Sequence, residues 1–287
     1  MISYEIVATT IRGIVLAVNN LFSWLLEILQ NPNIFTNMIA NVNPAIIDTV
    51  KATAITLCSL FFLLDFFSKT LHLQWVTWEN VLMLFIKLFV AKICIDNSLW
   101  ITDCIYNGLN SMTSAVPSFT QIIPQSQGNG DWSAAYSYFL TGNDYYNVVN
   151  NTTAGFLDFK PLLVNMQVQI QGFIMQGIVI VATIIVVARF FELTVYSIVA
   201  PIPLATFACE GLTDVGKGFL KSYAAVCVQA VVLIVMFFAY TTMDSAFNQL
   251  ASQIAEIRPW MGMIKVFTLG IAVMQSGSWA KKICGAM

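Results

Sequence analysis

Charge is what this sequence has least of. Asp, Glu, Lys and Arg make up 10% of its 287 residues, against 58% hydrophobic ones. A soluble domain carries about 25% charge, so this chain has too little polar surface to face water all round. That excludes an ordinary soluble domain and predicts an all-α, polytopic membrane protein. The net charge of −2 excludes a strongly basic, nucleic-acid-binding surface. There is a single histidine, His72. It sits in "KTLHLQW" between hydrophobic segments and reads as an interfacial side chain. Neither H-E-x-x-H nor G-x-S-x-G occurs, and one imidazole supports neither a His-based metal site nor a triad. No catalytic residue, metal ligand or cofactor is expected. The six cysteines (Cys58, Cys94, Cys104, Cys209, Cys227, Cys284) contain no C-x-x-C pair and read as small apolar helix residues. With Glu5 and Arg12 near the start and no A-x-A site, no cleavable leader is expected.

Long apolar runs are what the sequence does have. Residues 2–29 place apolar side chains at 7, 11, 14, 15, 18, 21, 22, 25, 26 and 29, a helical stripe. The other face carries Thr9, Arg12, Asn19, Asn20, Ser23 and Glu27. An amphipathic helix over 1–30 follows, lying in the interface or against other helices. "NPNIFTNMIANVNP" then reads as a loop from its Asn-Pro punctuation. Five segments are long and apolar enough to span: 46–68, 79–102, 168–198, 222–246 and 261–280. The fold expected is therefore a bundle of about five transmembrane helices, six if the N-terminal helix also spans.

The connection over 103–166 is different in kind. It is rich in Asn, Ser, Gly and Gln, yet also carries Trp132, Tyr136, Tyr138, Phe139, Tyr145 and Tyr146. A disordered linker has fewer aromatics, so the segment reads as a partly ordered element with a contact surface. Asn150 and Asn151 each begin an N-x-T sequon, a signal that matters only in a eukaryotic secretory pathway. No Lys or Arg lies between Lys92 and Lys160, whereas Lys217, Lys221, Lys281 and Lys282 follow later spans. By the positive-inside rule the 103–166 loop is outside, and both the 200–221 connection and the C-terminus are cytoplasmic. The organisation expected is 1–30 as the N-terminal helix, 46–102 as the first two spans and 103–166 as the external loop. Residues 167–199 form the third span, 200–221 the cytoplasmic connection and 222–287 the last two spans with the C-terminus.

Within 200–221, "EGLTDVGKGFLKSY" invites comparison with a nucleotide-binding loop, since Gly211 is followed after four residues by Gly216 and Lys217. Gly218 stands where the magnesium-binding Ser or Thr belongs, and Pro201 and Pro203 exclude a central strand before it. The charge order gives another reading. Glu210, Asp214, Lys217 and Lys221 are spaced 4, 3 and 4, so a helix puts them on one face with acids first and bases last, as its dipole favours. Leu204, Phe207, Leu212, Val215 and Phe219 form the opposite stripe. The segment is predicted to run from a span through a proline break into an interfacial amphipathic element and then the next span.

"YSIVAPIPLATFACEGLTDVGKGFLKSYAAVCVQAVVLIV" resembles the central signature of the TrbL-like polytopic inner-membrane subunits of type IV secretion and conjugation systems. The matching residues are Ala200, Pro201, Pro203, Leu204, Ala205, Phe207 and Phe219. The resemblance covers roughly 165–250, and the layout suggests the short form found in conjugative elements of Gram-positive bacteria. It implies a bacterial cytoplasmic-membrane protein that forms a homo-oligomer and helps pass single-stranded DNA with its bound relaxase. The implied partners are secretion ATPases and an outward-facing stalk or pilin-like protein. The family's long soluble tail has no counterpart here.

The charges in or near the spans are Asp65, Lys87, Lys92, Asp96, Arg189, Glu192, Asp244 and Lys265. A charge at mid-bilayer costs about 2.5–3.5 kcal/mol on insertion scales, so these face protein or water, or snorkel near span ends. Lys92 and Asp96 are placed to pair along one helix, and Asp65 to pair across helices with Lys87 or Lys92. Lys92, Asp96 and Asp103 fall along one face of the second span. Gln167, Gln169, Gln171 and Gln176 open the third span, either bonding between helices or starting it at the interface. Two functions compete. One is a structural, channel-building subunit, with Trp132, Tyr136, Tyr138, Tyr145 and Tyr146 docking an external partner and the 204–221 element facing cytoplasmic ATPases. The other is a stand-alone transporter or ion channel, which predicts an internal repeat that the sequence does not show.

Overall fold

The computed structural model describes residues 4–31, 33–71, 78–114, 121, 123, 132–140, 142–152, 159–253 and 261–286. Every regular element among them is helical. The chain is an all-α, membrane-embedded protein: four helices, Tyr4–Gln30, Pro44–Thr70, Lys160–Val199 and Glu210–Met243, contain stretches long and apolar enough to cross a bilayer. Three correspond to expected spans and the first to the N-terminal helix. The expected span at 79–102 is helical in two pieces, and that at 261–280 is also a helix. Glu79, Lys87, Lys92 and Asp96 interrupt the first, and Lys265 and the Gln275–Ser278 stretch interrupt the second.

The first helix, α1 (Tyr4–Gln30), buries Val7, Ile11, Ile14, Val15, Val18, Phe22, Leu25, Leu26 and Leu29. These are the predicted stripe with Leu21 left at its edge. The presumed loop that follows is instead organised as a short helix, α2 (Asn33–Ala40), before α3 (Pro44–Leu71). Asn31 and Asn43 cap the helices that follow, and Pro44 opens α3. The Asn31 side-chain oxygen accepts from the Asn33 amide and that of Asn43 from the Ala45 amide, both at 3.0 Å, while proline suits the first helical position.

The expected second span is two helices. α4 (Trp78–Asp96) stops at a turn on Asn97, and α5 (Ser98–Ser114) runs into the region assigned to the external loop. Asp103 therefore lies on a different helix from Lys92 and Asp96, and the three form no single stripe. The rest of that loop carries α6 (Ser133–Phe139) and α7 (Gly142–Val149). α8 (Lys160–Val199) is 40 residues long, beginning eight residues before the predicted span. Then come α9 (Pro201–Leu204), two 3-10 turns at Ala205–Ala208 and Glu210–Leu212, α10 (Thr213–Gln253, 41 residues) and α11 (Met261–Cys284).

The helices form two compact units. One comprises Met1–Gln30, Val116–Val186 and Leu233–Ser276; the other Asn31–Ala115, Val187–Val232 and Gly277–Met287. In the first, α1 packs on α6 and α7, and Phe22 meets Phe237 edge-on at 5.0 Å. Gly172 allows close approach there, since a Cβ at that position would strike the Ile14 side chain at 2.3 Å. In the second, α3 and α4 hold the 201–208 segment between them.

Candidate functional site

Two prolines create the central feature of the second unit. Neither Pro201 nor Pro203 has an amide hydrogen to continue α8, so the helix ends and a new turn begins. The turn bends again at Cys209, whose backbone is extended (φ −118°, ψ 129°). A backbone this irregular has polar groups that neighbouring elements must pair or cover. Here α3 and α4 do so. Ala205 and Ala208 are fully buried against Ala54, Cys58, Ala91 and Ile95, with Leu57, Phe61, Leu88, Ile202 and Phe207 closing the margins. Small side chains on both sides let the turn seat deeply. Of the signature residues, Ala200, Pro201, Leu204 and Ala205 are buried, and Pro203, Phe207 and Phe219 are half-buried.

The turn is also clipped by charge. Glu210 Oε2 accepts from Lys69 Nζ on α3 and from Lys87 Nζ on α4, both at 2.9 Å. Lys69 lies 3.7 Å from Asp65 as well. The expected pairing of Asp65 with Lys87 or Lys92 is replaced, because the turn inserts Glu210 beside Lys87. Nor does the predicted amphipathic helix over 204–221 exist as one element. The extended residue at Cys209 separates Leu204 and Phe207 from the helix, and Val215 is exposed. Asp214, Lys217 and Lys221 do share an exposed face of α10, where Lys217 and Asp214 pair at 3.6 Å. Gly216 is a packing residue: a Cβ there would meet the Phe207 ring at 2.9 Å and the Pro203 carbonyl oxygen at 3.1 Å.

Lys92 and Asp96 are both exposed, and no ion pair joins them among the described residues. Lys51 Nζ instead donates to the Asp96 carbonyl oxygen at 3.2 Å. Lys92 lines a mainly apolar groove of about 540 Å³ between α3 and α4, beside Cys58, Ser59 and Phe89.

Arg189 is not a snorkelling residue. It is 3% exposed, and its guanidinium donates through Nε to the Val226 carbonyl oxygen at 2.7 Å and through Nη2 to that of Cys227 at 3.3 Å. Nearby, Tyr223 donates from its hydroxyl to the Thr102 carbonyl oxygen at 3.1 Å and receives the Ser197 hydroxyl at 3.3 Å. Tyr106 packs on Phe35 with ring centroids 4.2 Å apart. These bonds join α5 to the adjacent parts of α8 and α10. The sequence signal was Arg189's isolation, as one cation in a long apolar run; the tyrosine network had no comparable signal.

The candidate docking aromatics divide. Tyr136 and Tyr138 are buried, Trp132 and Tyr145 are half-buried, and Tyr146 is exposed. Tyr136 accepts from Arg12 Nε at 2.7 Å, with Trp132 also against the guanidinium. The Tyr138 hydroxyl meets that of Tyr240 at 2.8 Å, and its ring lies 5.3 Å from the ammonium of buried Lys265. Docking by Tyr136 and Tyr138 is therefore corrected to core packing: the buried Tyr136 hydroxyl accepts from the exposed Arg12, and the Tyr138 ring faces buried Lys265. Asn19, assigned to the polar face of α1, is buried and exchanges two bonds with the backbone of Ile123, at 3.1 and 3.2 Å. Gln171 is the buried member of the glutamine series. His72 and the Asp244 side chain lie outside the described residues.

Among the described residues, no three His, Cys, Asp or Glu side chains are grouped to hold a metal ion. No protein-family model, curated protein or solved structure matches this chain.

Proposed function

We propose that this chain is a structural, channel-building subunit of a conjugative type IV secretion machine, of the TrbL-like kind. It sits in the bacterial cytoplasmic membrane as a multi-pass homo-oligomer with a cytoplasmic C-terminus. It assists passage of single-stranded DNA with bound relaxase, and energy comes from partner ATPases.

The observation that carries an assembly role is the outer face of α8. A helix of 40 residues is about 60 Å long, twice the roughly 30 Å of bilayer hydrocarbon. Exposed apolar side chains continue along it, from Leu163 through Phe173, Ile184 and Phe191 to Val199. Even a 40° tilt lets lipid cover only about 40 Å of such a helix. The remaining apolar surface needs protein against it, supplied by other copies and by machine partners. On α7, exposed Tyr146 and Val149 offer a smaller patch for the outward-facing stalk or pilin-like partner.

Native mass spectrometry of the full chain released from nanodiscs tests this reading. A discrete ring-sized homo-oligomer that Phe173→Glu or Phe191→Glu dissociates is the expected result. A monomer that conducts ions or solutes in liposomes overturns it and leaves a stand-alone transporter or channel.

A further inference from the structure

In the second unit, α8, α10 and the last turns of α11 line a half-open cavity of about 480 Å³. That lies within the range of about 300–1,000 Å³ for small-molecule sites. Its polar lining has opposite charges on different helices. Glu192 comes from α8, Gln229 from α10, and Ser278, Lys281 and Lys282 from α11. No ion pair among the described residues joins Glu192 to either lysine. Gly277 lines the cavity beside Gln229: a Cβ there would lie in van der Waals contact with the Gln229 amide nitrogen, at 3.4 Å, and a larger side chain would fill the space.

Apolar residues neighbour the polar lining along the same helices: Val195 follows Glu192 by three residues on α8, and Ile283 follows Lys282 on α11; both are exposed. Trp279, also exposed, stands between Ser278 and the lysine pair, and aromatic and basic residues together mark the membrane–water boundary. A ligand matching this site has an anionic centre for the lysines, a cationic donor for the carboxylate and chains for the apolar rim. Glu192 disfavours a purely anionic headgroup. A quaternary ammonium has no N–H to donate to a carboxylate, so a primary ammonium fits best.

We propose that this cavity binds the headgroup of an aminophospholipid. The phosphodiester sits on Lys281 and Lys282 with the Ser278 hydroxyl and Gln229 amide, and the primary ammonium sits on Glu192. The assignment is independent of the secretion reading, because it rests on the polar lining of the cavity and the exposed apolar residues beside it.

The test is lipid retention by the full chain in native mass spectrometry. The protein is exchanged into phosphatidylethanolamine, phosphatidylglycerol or phosphatidylcholine, with soluble phosphoethanolamine in a separate arm. One retained phosphatidylethanolamine per chain is expected, with about tenfold lower retention of the other lipids. Glu192→Gln abolishes the preference over phosphatidylglycerol. The double substitution Lys281→Ala with Lys282→Ala loses both lipids, and Gly277→Leu displaces phosphatidylethanolamine while circular dichroism stays helical. Equal retention of all three lipids by the wild type overturns the proposal, as does an unaltered preference in Glu192→Gln. Displacement of lipid by soluble phosphoethanolamine overturns the lipid assignment and leaves a soluble phosphate ester as the ligand.

Discussion

Arg189 Nε lies 2.7 Å from the carbonyl oxygen of Val226, so a buried cation on one long helix is held by the backbone of the next. No carboxylate pairs with it among the described residues.

That arrangement ranks substitutions in an unusual order. Arg189→Met removes the charge together with its desolvation penalty and is expected to cost under about 1 kcal/mol. Arg189→Lys keeps the charge but loses the planar fork that reaches two carbonyls, at a cost of about 2–3 kcal/mol. Thermal unfolding in detergent, followed by tryptophan fluorescence, gives the order. If Lys proves milder than Met, another group compensates the charge.

Packing outweighs charge at the proline turn. The carboxylate of Glu210 is 63% exposed, and exposed pairs contribute at most about 1 kcal/mol each. Glu210→Gln is expected to lower stability by about 1 kcal/mol, an effect that shrinks at high salt. Ala208→Leu forces a large side chain into a filled site and costs upwards of about 2 kcal/mol, independent of salt. Melting both variants at low and high salt separates the contributions.

Two glycines close together on α10 behave oppositely. Gly218 faces open space, so Gly218→Ala gains helix propensity and is stabilising by up to about 1 kcal/mol. At Gly216 the same methyl meets Phe207 and the Pro203 carbonyl, and crowding exceeds the propensity gain for a net loss of about 1 kcal/mol. The midpoint shifts of the two variants have opposite signs.

Aromatic residues of the 133–149 region separate core from surface. Tyr136→Phe removes the acceptor of Arg12 Nε and costs about 1–2 kcal/mol. Tyr146→Ala changes stability by less than about 0.5 kcal/mol, because the ring is exposed. A stability effect at Tyr146 as large as that at Tyr136 contradicts this division.

How much of this was legible depended on periodicity. The stripe of α1 from Val7 to Leu29 was readable because it repeats helically over many turns and one face is buried. The proline break at 201–203 was readable because proline's missing amide is a local property. What closes around that break was not: Ala54, Cys58, Ala91 and Ile95 are ordinary apolar residues whose meeting with Ala205 and Ala208 is a tertiary fact. Charge pairing failed for the same reason. Spacing suggested Lys92 with Asp96, yet the ion pair that formed at Lys87 uses Glu210, more than a hundred positions away. Composition marks the aromatics at 136 and 138 as contact residues, but composition alone does not distinguish an aromatic that meets a partner from one that meets a cation of the same chain.

One native thiol makes the proline turn observable without any engineered probe. Cys209 closes the turn, buried and unpaired, whereas Cys58 also lines the groove between α3 and α4 and is open to reagent from that side. While the turn is seated, a membrane-permeant maleimide is kept from the Cys209 sulfur. Lifting the turn exposes it. The time course of alkylation at Cys209 therefore clocks how often the turn leaves its seat between α3 and α4.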